Sequence, residues 1–491
     1  MYIGIDFGTS EVKVVLMDAA GDIVGSHGSP LEISRPHPMW SEQNPSDWWA
    51  ATNASMRALA QKSPDLFSQV KAIGLSGQMH GAVLLDAAHE VIRPAILWND
   101  VRSHVECDEL TAAVPNLYEL AGNLAMPGFT APKLLWVAKH EPANFARVAK
   151  VLLPKDYVRF LMTGAFVSDM SDAAGTLWLD VARRDWSDAL LAATGLSRAQ
   201  MPELVEGSAV SATLSDDVAS AWGLPRGVVV AGGGGDNAAS AVGIGAVASG
   251  DGFISLGTSG VLFVVNDAYR PNAKAAVHAF CHALPNRWHQ MSVMLSAASG
   301  LRWVKNLTHA ADEAELLAEV EALGADVAEV APIYLPYLSG ERTPHNDPYA
   351  KGVFFGLTQD VERGHLAYAV IEGVAFGLLD GLNALRSAGT MVHELSLVGG
   401  GSRSGYWAQL LADVLQTTIV THVGSAAGGA LGAARLGALA CGLSEADVCV
   451  KPPVSVRFVP RAVDARLVRR YGEFKEVYVA NKALFKAFYS E

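Results

Sequence analysis

The first residues that suggest chemistry are a carboxylate and a hydroxyl-rich turn close to the N-terminus. Asp6 ends an apolar run, Gly8-Thr9-Ser10 follows it, and Lys13 comes three residues later. The amides and hydroxyls of such a turn can bind phosphate oxygens. A carboxylate beside them can bind Mg²⁺, which typically uses one or two carboxylates together with phosphates. We therefore predict a phosphate and metal site, with an ordinary turn capped by Asp6 as the alternative.

A second carboxylate follows a run of four glycines. Gly232-Gly233-Gly234-Gly235 comes after an apolar run, and Asp236-Asn237 opens an Ala-rich segment. Four glycines let a ligand approach the backbone closely, at an entropic cost that a simple connector does not require. At a strand tip, Asp236 can accept a proton from a bound hydroxyl, or it can simply cap the following helix. Its position beside the expected domain boundary favours the catalytic interpretation.

The phosphate turn occurs twice in the chain. The segment Ile5–Val12 recurs as Ile254–Val261, so that Gly257-Thr258 repeats the turn and Ser255 takes the place of the carboxylate. The flanking apolar positions stay in register, which indicates an internal duplication. Two such turns facing each other can hold one polyphosphate from both sides, with only the first half supplying a carboxylate.

The elements that must position these residues are typical of an α/β protein. Each copy of the turn joins two apolar runs, which predicts a β-hairpin at the start of each half. Further buried strands are predicted at 72–76, 228–231 and 394–398, each ending in a Gly-rich or polar loop. Ligands of α/β folds bind at the carboxyl ends of such strands. We expect two domains, 1–245 and 246–491, with a docked C-terminal helix at about 467–488.

Two strand tips are suited to ligand recognition. Gln78-Met79-His80-Gly81 follows the strand at 72–76 and suits a hydroxylated ligand, although a single histidine is more often structural. Trp98-Asn99-Asp100 is a similar but weaker candidate. Gly399-Gly400-Gly401 is not a GxGxxG motif and lacks the acidic residue of NAD sites, so we expect it to support a purine instead. The polar segment 340–345 is predicted to be a structural loop with a Glu341–Arg342 ion pair.

Composition excludes several classes of protein. Of 491 residues, 50% are hydrophobic and 18% are charged, which excludes intrinsic disorder. A net charge of -13 argues against a non-specific nucleic-acid binder. The four cysteines have no CxxC spacing, so neither a disulfide framework nor a zinc site is expected. With no signal peptide recognised and no uninterrupted apolar run of about 18 residues, we expect a cytoplasmic protein without a membrane span.

Three stretches of the chain resemble the FGGY carbohydrate kinases, a family of the actin, Hsp70 and hexokinase superfamily. They are 4–10, 128–136 and 352–373, and the last two are similar to the signature patterns of the family. The resemblance implies two RNase H-like domains around a central cleft, ATP and Mg²⁺ as cofactors, and a small-molecule sugar as substrate. It also implies a homodimer.

The resemblance also implies roles for individual residues. Asp236 would be the general base that removes the proton of the terminal hydroxyl of the sugar, and Asp6 would place Mg²⁺ and the γ-phosphate. The residues implied at the other subsites are Thr9, Ser10, Lys13, Gly257 and Thr258 at the phosphates, Gly400 and Gly401 under the adenosine, and Met79, His80, Asp236 and Asn237 at the sugar.

The substrate class is narrowed by the same comparison of motifs. Segments 78–81, 98–100 and 338–346 are most similar to family members that phosphorylate D-xylulose, whereas glycerol kinases carry an Arg-Glu pair at the places of Met79 and His80. Two alternatives stay open. One is a kinase for another sugar or polyol, such as ribulose, fuculose or gluconate, and the other is a nucleotide switch of the Hsp70 or actin type.

Overall fold

Two seven-stranded mixed sheets, one in each half of the sequence, organise the computed structural model, which describes residues 1–423 and 428–489. The first sheet consists of β1 (Tyr2–Phe7), β2 (Glu11–Met17), β3 (Ile23–Pro30), β4 (Ala72–Gly77), β5 (Val210–Thr213), β6 (Val229–Ala231) and β7 (Gly234–Gly235). The second consists of β8 (Asp251–Leu256), β9 (Gly260–Asn266), β10 (His278–Cys281), β11 (Trp288–Met294), β12 (Glu394–Val398), β13 (Thr418–His422) and β14 (Val454–Phe458).

The two sheets share one arrangement of strands. The order of the first is β5-β6-β4-β1-β2-β3, with β7 also paired to β4, and the order of the second is β10-β11-β9-β8-β12-β13-β14. Each sheet contains three antiparallel neighbours, β1-β2-β3 in the first and β8-β9-β11 in the second, and two later strands that run parallel to the first of the three. This repeated topology confirms the predicted α/β class with two RNase H-like domains. The duplicated turn in the sequence lies at the same hairpin of both sheets.

The longer helices cover the sheets and connect the strands. Within the described residues, those of eight or more residues are α1 (Pro45–Lys62), α2 (His104–Ala113), α3 (Thr130–His140), α4 (Pro154–Thr163), α5 (Asp236–Gly243), α6 (Ala298–Thr308), α7 (Glu313–Leu323), α8 (Arg363–Ser387), α9 (Gly405–Leu415), α10 (Gly428–Ala440) and α11 (Ala465–Tyr489). Helix α1 begins as its sequence predicts, because the Asn44 side chain accepts a hydrogen bond from the Ser46 amide and Pro45 is the first helical residue.

Shorter elements complete the loops. The short α-helices are Pro64–Phe67, Leu117–Ala121, Pro142–Phe145, Met170–Ala173, Asp188–Ala193, Asp216–Trp222, Val327–Val330 and Glu445–Val448. The two-stranded pairs are Glu42–Gln43 with Ala95–Ile96, Val83–Leu85 with Lys150–Leu152, Val167–Asp169 with Glu203–Val205, Leu179–Asp180 with Asp185–Trp186, and Ile333–Leu335 with Val353–Phe355.

Helix α10 belongs to the second half of the sequence but packs on the first sheet. It lies across β1 and β4 and along α5. A Cβ atom on Gly4 would lie 1.8 Å from the carbonyl oxygen of Ala430, and one on Gly74 would lie 1.8 Å from that of Ala433. Because these distances exclude any side chain, the two glycines allow direct backbone contact between the halves.

Two long helices complete the core of the second half. Within the described residues, α8 is the one helix long and apolar enough, by length and composition, to cross a membrane. Its most apolar window is 83% buried inside the protein, as expected for a central core helix. Helix α11 covers the region expected to be helical at 467–488, and it buries Phe474 and Tyr478 in the same core.

Candidate active site

The carboxylate of Asp6 lies at the carboxyl end of β1, next to the end of β4. The two strands are parallel, and Asp6 is in register with Ser76. The Ser76 hydroxyl donates a hydrogen bond of 2.7 Å to Asp6 Oδ1. Burial raises the pKa of Asp6, while the bond from Ser76 and the charge of Lys13 on the neighbouring strand oppose this rise. Asp6 therefore lies at the carboxyl end of the sheet, where α/β proteins bind ligands.

The carboxylate of Asp236 lies at the same carboxyl end of the sheet. Strand β7 pairs with the end of β4, which places Gly235 beside Gly77 and makes Asp236 the first residue of α5. The Asn237 backbone and side-chain N–H groups donate to Asp236 Oδ1 at 2.7 and 2.9 Å. Burial raises the pKa of Asp236 to about 6, and the negative charge of Asp6 contributes to this rise. The two acidic groups predicted from separate motifs thus share one electrostatic environment.

The second half reaches this pair of carboxylates through the first turn of α10. A Cβ atom on Gly429 would lie 2.6 Å from Ser76 Oγ and 2.9 Å from Asp6 Oδ1. The amides and the dipole at a helix N-terminus favour negative charge. The sequence analysis did not assign this segment to the site. The available signal was the Gly428-Gly429 pair in front of a helical, Ala-rich run.

The two phosphate turns differ in how their polar groups are used. In the first turn, the Thr9 hydroxyl donates to Gln78 Oε1 at 3.1 Å and accepts from the Trp98 indole at 3.0 Å. In the second turn, the Thr258 carbonyl accepts hydrogen bonds from the Ala297 amide at 2.9 Å and from the Ser299 hydroxyl at 2.8 Å. Ser10 and Thr258 are exposed, whereas Lys13 is partly buried. Both turns therefore keep a hydroxyl open to a ligand.

A cavity of about 300 Å³ lies between the two halves. It is lined by Asn237, Ser240, Ile244, Phe253, Ser255, Val398, Gly399 and Gly428. Gly399 has a φ of +88°, and a Cβ there would lie 2.8 Å from the Leu256 carbonyl oxygen, so glycine is required. Of the two glycines predicted under the adenosine, Gly400 faces open space and Gly401 is buried against Leu256.

The tip of β4 brings Met79 against Gly235, the residue before Asp236, and His80 follows Met79 in the chain. A Cβ atom on Gly235 would lie 3.0 Å from both Cγ and Sδ of Met79. His80 Nδ1 lies 2.5 Å from the Gly175 carbonyl oxygen, which can only accept a hydrogen bond. Burial lowers the pKa of His80 to about 3, so the ring is neutral at pH 7. With its proton on Nδ1, His80 presents Nε2 as a hydrogen-bond acceptor.

A buried ion cluster supports the loop that precedes Asp236. Lys155 Nζ lies within 3.0 Å of carboxylate oxygens of Asp156, Asp169 and Asp172, and all four side chains are fully buried. The Ser171 hydroxyl donates to Asp169 and accepts from the Gly235 amide at 3.1 Å. The sequence analysis did not find this cluster because its members are spread over separate helices and strands with no motif.

Two predictions about polar segments need correction. The predicted ion pair between Glu341 and Arg342 was wrong, because the Glu341 carboxylate accepts hydrogen bonds from the Arg342 and Leu295 backbone amides instead. In the segment 98–100, Asp100 forms a buried ion pair of 2.6 Å with Arg102 and so has a structural role. Of that segment, Trp98 alone contacts the candidate site, through its bond to the first phosphate turn.

Comparison with known proteins identifies the family. The sequence model of the N-terminal domain of the FGGY family of carbohydrate kinases matches residues 1–243, and that of its C-terminal domain matches residues 252–441. The chain belongs to this family. The FGGY kinase resemblance that the motifs predicted is therefore confirmed over most of the chain.

Individual relatives of this FGGY kinase agree with the assignment. The chain is 52% identical over 480 residues to a xylulose kinase from Escherichia coli K12, covering 97% of this chain and 98% of that protein. It is also 52% identical to a xylulose kinase from Klebsiella pneumoniae, with the same coverage. A crystal structure of a xyloylose kinase from Brucella ovis superposes with a TM-score of 0.95 at 50% identity, covering 98% and 99% of the two chains.

Proposed function

We propose that this FGGY kinase transfers the γ-phosphoryl group of ATP to the terminal hydroxyl of D-xylulose, with Asp236 as the general base. The products would be D-xylulose 5-phosphate and ADP. The observation that supports the mechanism is the position of Asp236 between the tip that carries Met79 and His80 and the phosphate turn at Asp6. The xylulose kinases among its relatives, at 52% identity over nearly the full length, support the substrate.

The local geometry of Asp236 suits a proton acceptor. Both donors from Asn237 bind Oδ1, and Oδ2 accepts no hydrogen bond from the described part of the chain. Oδ2 is therefore the atom that takes the proton as the sugar oxygen attacks. A carboxylate whose pKa is raised to about 6 is a stronger base than an ordinary one, and it is still mostly ionised at pH 7.

Mg²⁺ and ATP fit the groups around Asp6. Among the described residues, no cluster of three or more His, Cys, Asp or Glu side chains could hold a metal by itself. A Mg²⁺ ion of a kinase needs only one or two carboxylates in addition to phosphates, and Asp6 supplies one. When bound, the ion neutralises charge on the transferred phosphoryl group. We assign the phosphate contacts to Ser10, Lys13 and the second turn at Gly257-Thr258.

The sugar and the adenosine would occupy opposite sides of Asp236. His80 Nε2 can accept a hydrogen bond from a sugar hydroxyl, and Met79 covers the apolar side of the carbon chain. The open surface over Gly400 suits the adenosine, with the cavity at Gly399 between it and the carboxylates. Closure of the two halves would exclude water, which otherwise competes with the sugar as phosphoryl acceptor. A cytoplasmic location and a homodimer stay predictions.

An assay of ADP release with Mg-ATP and a panel of sugars tests the proposal. The panel contains D-xylulose, L-xylulose, D-ribulose, L-ribulose, glycerol, D-gluconate and a blank without sugar. We expect D-xylulose to give the highest kcat/KM and the blank to give little ADP. Preferred turnover of another sugar would keep the kinase and replace the substrate. ATP consumption independent of any sugar would favour the nucleotide switch.

A further inference from the structure

Arg342 is a partly buried cation that has no acidic partner in the part of the chain that the structure describes. Within the described residues, no carboxylate oxygen lies within 4.0 Å of its guanidinium group. Its only side-chain hydrogen bond in that part of the chain is a long one, 3.4 Å from Nη1 to His278 Nε2. The guanidinium has five N–H donors, so most of them are available to a ligand. Leaving a partly buried charge unpaired is unfavourable, which indicates a partner outside the chain.

The adjacent Glu341 does not neutralise Arg342. Burial raises the pKa of Glu341 to about 8, so this carboxyl group is mostly protonated at pH 7. The positive charge of Arg342 partly opposes the rise in the pKa of Glu341, and it also contributes to lowering the pKa of His278 and that of His80. Arg342 therefore lies within electrostatic range of the sugar-binding tip that carries His80.

The loop that carries Arg342 is held firmly to the second sheet. Glu341 and Asp347 exchange two backbone hydrogen bonds of 2.9 and 2.8 Å across the loop. The Thr343 amide donates to the Val293 carbonyl at 3.1 Å, and the Thr343 hydroxyl donates to the carbonyl of Ala276 at 2.9 Å. A clamped backbone on both sides of Arg342 limits where its side chain can reach. This arrangement suits a preorganised contact.

A continuous aromatic wall connects Arg342 with the sugar-binding tip. The His278 ring stacks on Phe280 with centroids 5.7 Å apart and lies 5.8 Å from Phe129. Phe129 in turn lies 4.5 Å from the His80 ring. Phe129 and His80 belong to the first half, whereas Phe280 and Arg342 belong to the second. The two halves therefore build this wall together, and Arg342 lies at its end.

We propose that Arg342 donates two hydrogen bonds to O1 and O2 of D-xylulose, at the hydroxyketone end opposite the phosphoryl acceptor. This inference rests on the proposed function. The planar guanidinium fork presents two parallel N–H groups, and it matches two adjacent oxygen acceptors. The C1 hydroxyl and the C2 carbonyl of a ketose form such a pair, while the C5 hydroxyl lies at Asp236. Arg342, which belongs to the second half of the chain, thus determines specificity for the ketose.

The test compares D-xylulose with 1-deoxy-D-xylulose, which lacks O1, in wild type, R342Q and R342K. We expect wild type to prefer D-xylulose in kcat/KM by about 10- to 100-fold, the scale of a hydrogen bond to a charged group. R342Q should lose both hydrogen bonds with D-xylulose but only the one to O2 with the deoxy sugar, so the ratio falls toward one. R342K keeps the charge without the fork, and its ratio should be intermediate. KM for ATP should stay unchanged in both variants.

R386Q is the matched control, because Arg386 is another arginine of the second half that has no carboxylate partner among the described residues, and its guanidinium donates to the Thr417 hydroxyl. Its sugar ratio should equal that of wild type. Circular dichroism and thermal melting show which variants are folded. If only one of R342Q and R342K folds, that variant alone is enough to measure the change in the sugar ratio. An unchanged ratio in the folded Arg342 variants would overturn the contact with O1. A wild-type preference for D-gluconate over D-xylulose that disappears in R342Q would also overturn the contact with O1. If wild type does not phosphorylate D-xylulose but turns over another neutral sugar normally, the proposed substrate is refuted instead.

Discussion

The hydroxyl of Ser76 donates a hydrogen bond of 2.7 Å to Asp6 Oδ1, and this bond joins the carboxyl ends of two adjacent parallel strands. It engages one oxygen of Asp6, and Oδ2 accepts no hydrogen bond from the described residues. A carboxylate with one oxygen fixed and one open has a defined direction in which to meet a metal ion. Second-sphere bonds of this kind orient metal ligands and tune their affinity.

Replacing Ser76 by alanine should weaken the use of Mg-ATP. Without the donated hydrogen bond, the pKa of Asp6 rises further, so the carboxylate is both less ionised and less well oriented. We expect KM for Mg-ATP to rise by about 10-fold at pH 7, the lower range reported for second-sphere changes at metal sites. Steady-state kinetics with Mg²⁺ varied at fixed ATP measures this effect.

S211A is a matched control for this experiment. The Ser211 hydroxyl donates to backbone carbonyls of β6 in the same sheet, away from Asp6. We expect S211A to leave KM for Mg-ATP at the wild-type value. Equal values for S76A and wild type would show that Ser76 does not support the metal site.

Removal of the proton acceptor should nearly abolish phosphoryl transfer. D236N keeps the size of the side chain and removes the basic oxygen, and we expect kcat to fall by about 10²- to 10⁴-fold, the usual contribution of a general base. ATP binding, measured by calorimetry, should persist. D216N is the control, since Asp216 is also the first residue of a helix but lies on the surface. Turnover of D236N close to that of wild type would refute the assignment.

The raised pKa of Asp236 predicts opposite effects of pH on activity and on stability. The base works in its ionised form, so kcat/KM should fall as pH drops below about 6. Folding raises this pKa from 3.8, which means that the stabilising effect of the bound proton is lost as pH rises through about 6. D236N should therefore be more stable than wild type at pH 8, by about 1–2 kcal/mol after screening by solvent. Urea unfolding at pH 8 and at pH 4 should show this gap shrinking at the lower pH.

Local sequence signals predicted most of the fold and brought forward the first-half residues of the candidate site. The apolar runs around Asp6 and the repeated Gly-Thr-Ser turn need only a few neighbouring residues to be recognised, and a hairpin formed at each copy of the turn. Gly429 and Arg342 could not be placed in this way. Gly429 reaches Asp6 because α10 crosses onto the first sheet, and the loop of Arg342 is held by a hydrogen bond to β11, which is distant in sequence. No sequence pattern near Gly429 or Arg342 indicates which distant residues it packs against.

The backbone contact between the halves predicts a stability effect that is independent of catalysis. In G4A the new methyl group would lie 1.8 Å from the Ala430 carbonyl oxygen, so β1 and α10 must move apart. We expect a loss of roughly 1–3 kcal/mol in the free energy of unfolding, the usual cost of overpacking a core. G472A is the control, because a Cβ there meets no atom within 4 Å in helix α11 and should be neutral or stabilising. Equal unfolding midpoints for G4A and G472A would contradict the close packing.

His80 should contribute to sugar binding as a neutral acceptor. Its φ of +71° lies in the left-handed region, which asparagine tolerates, so H80N keeps the backbone and removes Nε2. We expect KM for D-xylulose to rise by about 10-fold, as for one lost hydrogen bond, with KM for ATP unchanged. H89N is a matched control, since His89 has a similar φ of +65° but is exposed and packs against Phe160 and Phe166. Because the pKa of His80 is about 3, this KM should show no histidine titration between pH 5 and 8, and a clear step near pH 6.5 that H80N removes would contradict the neutral ring.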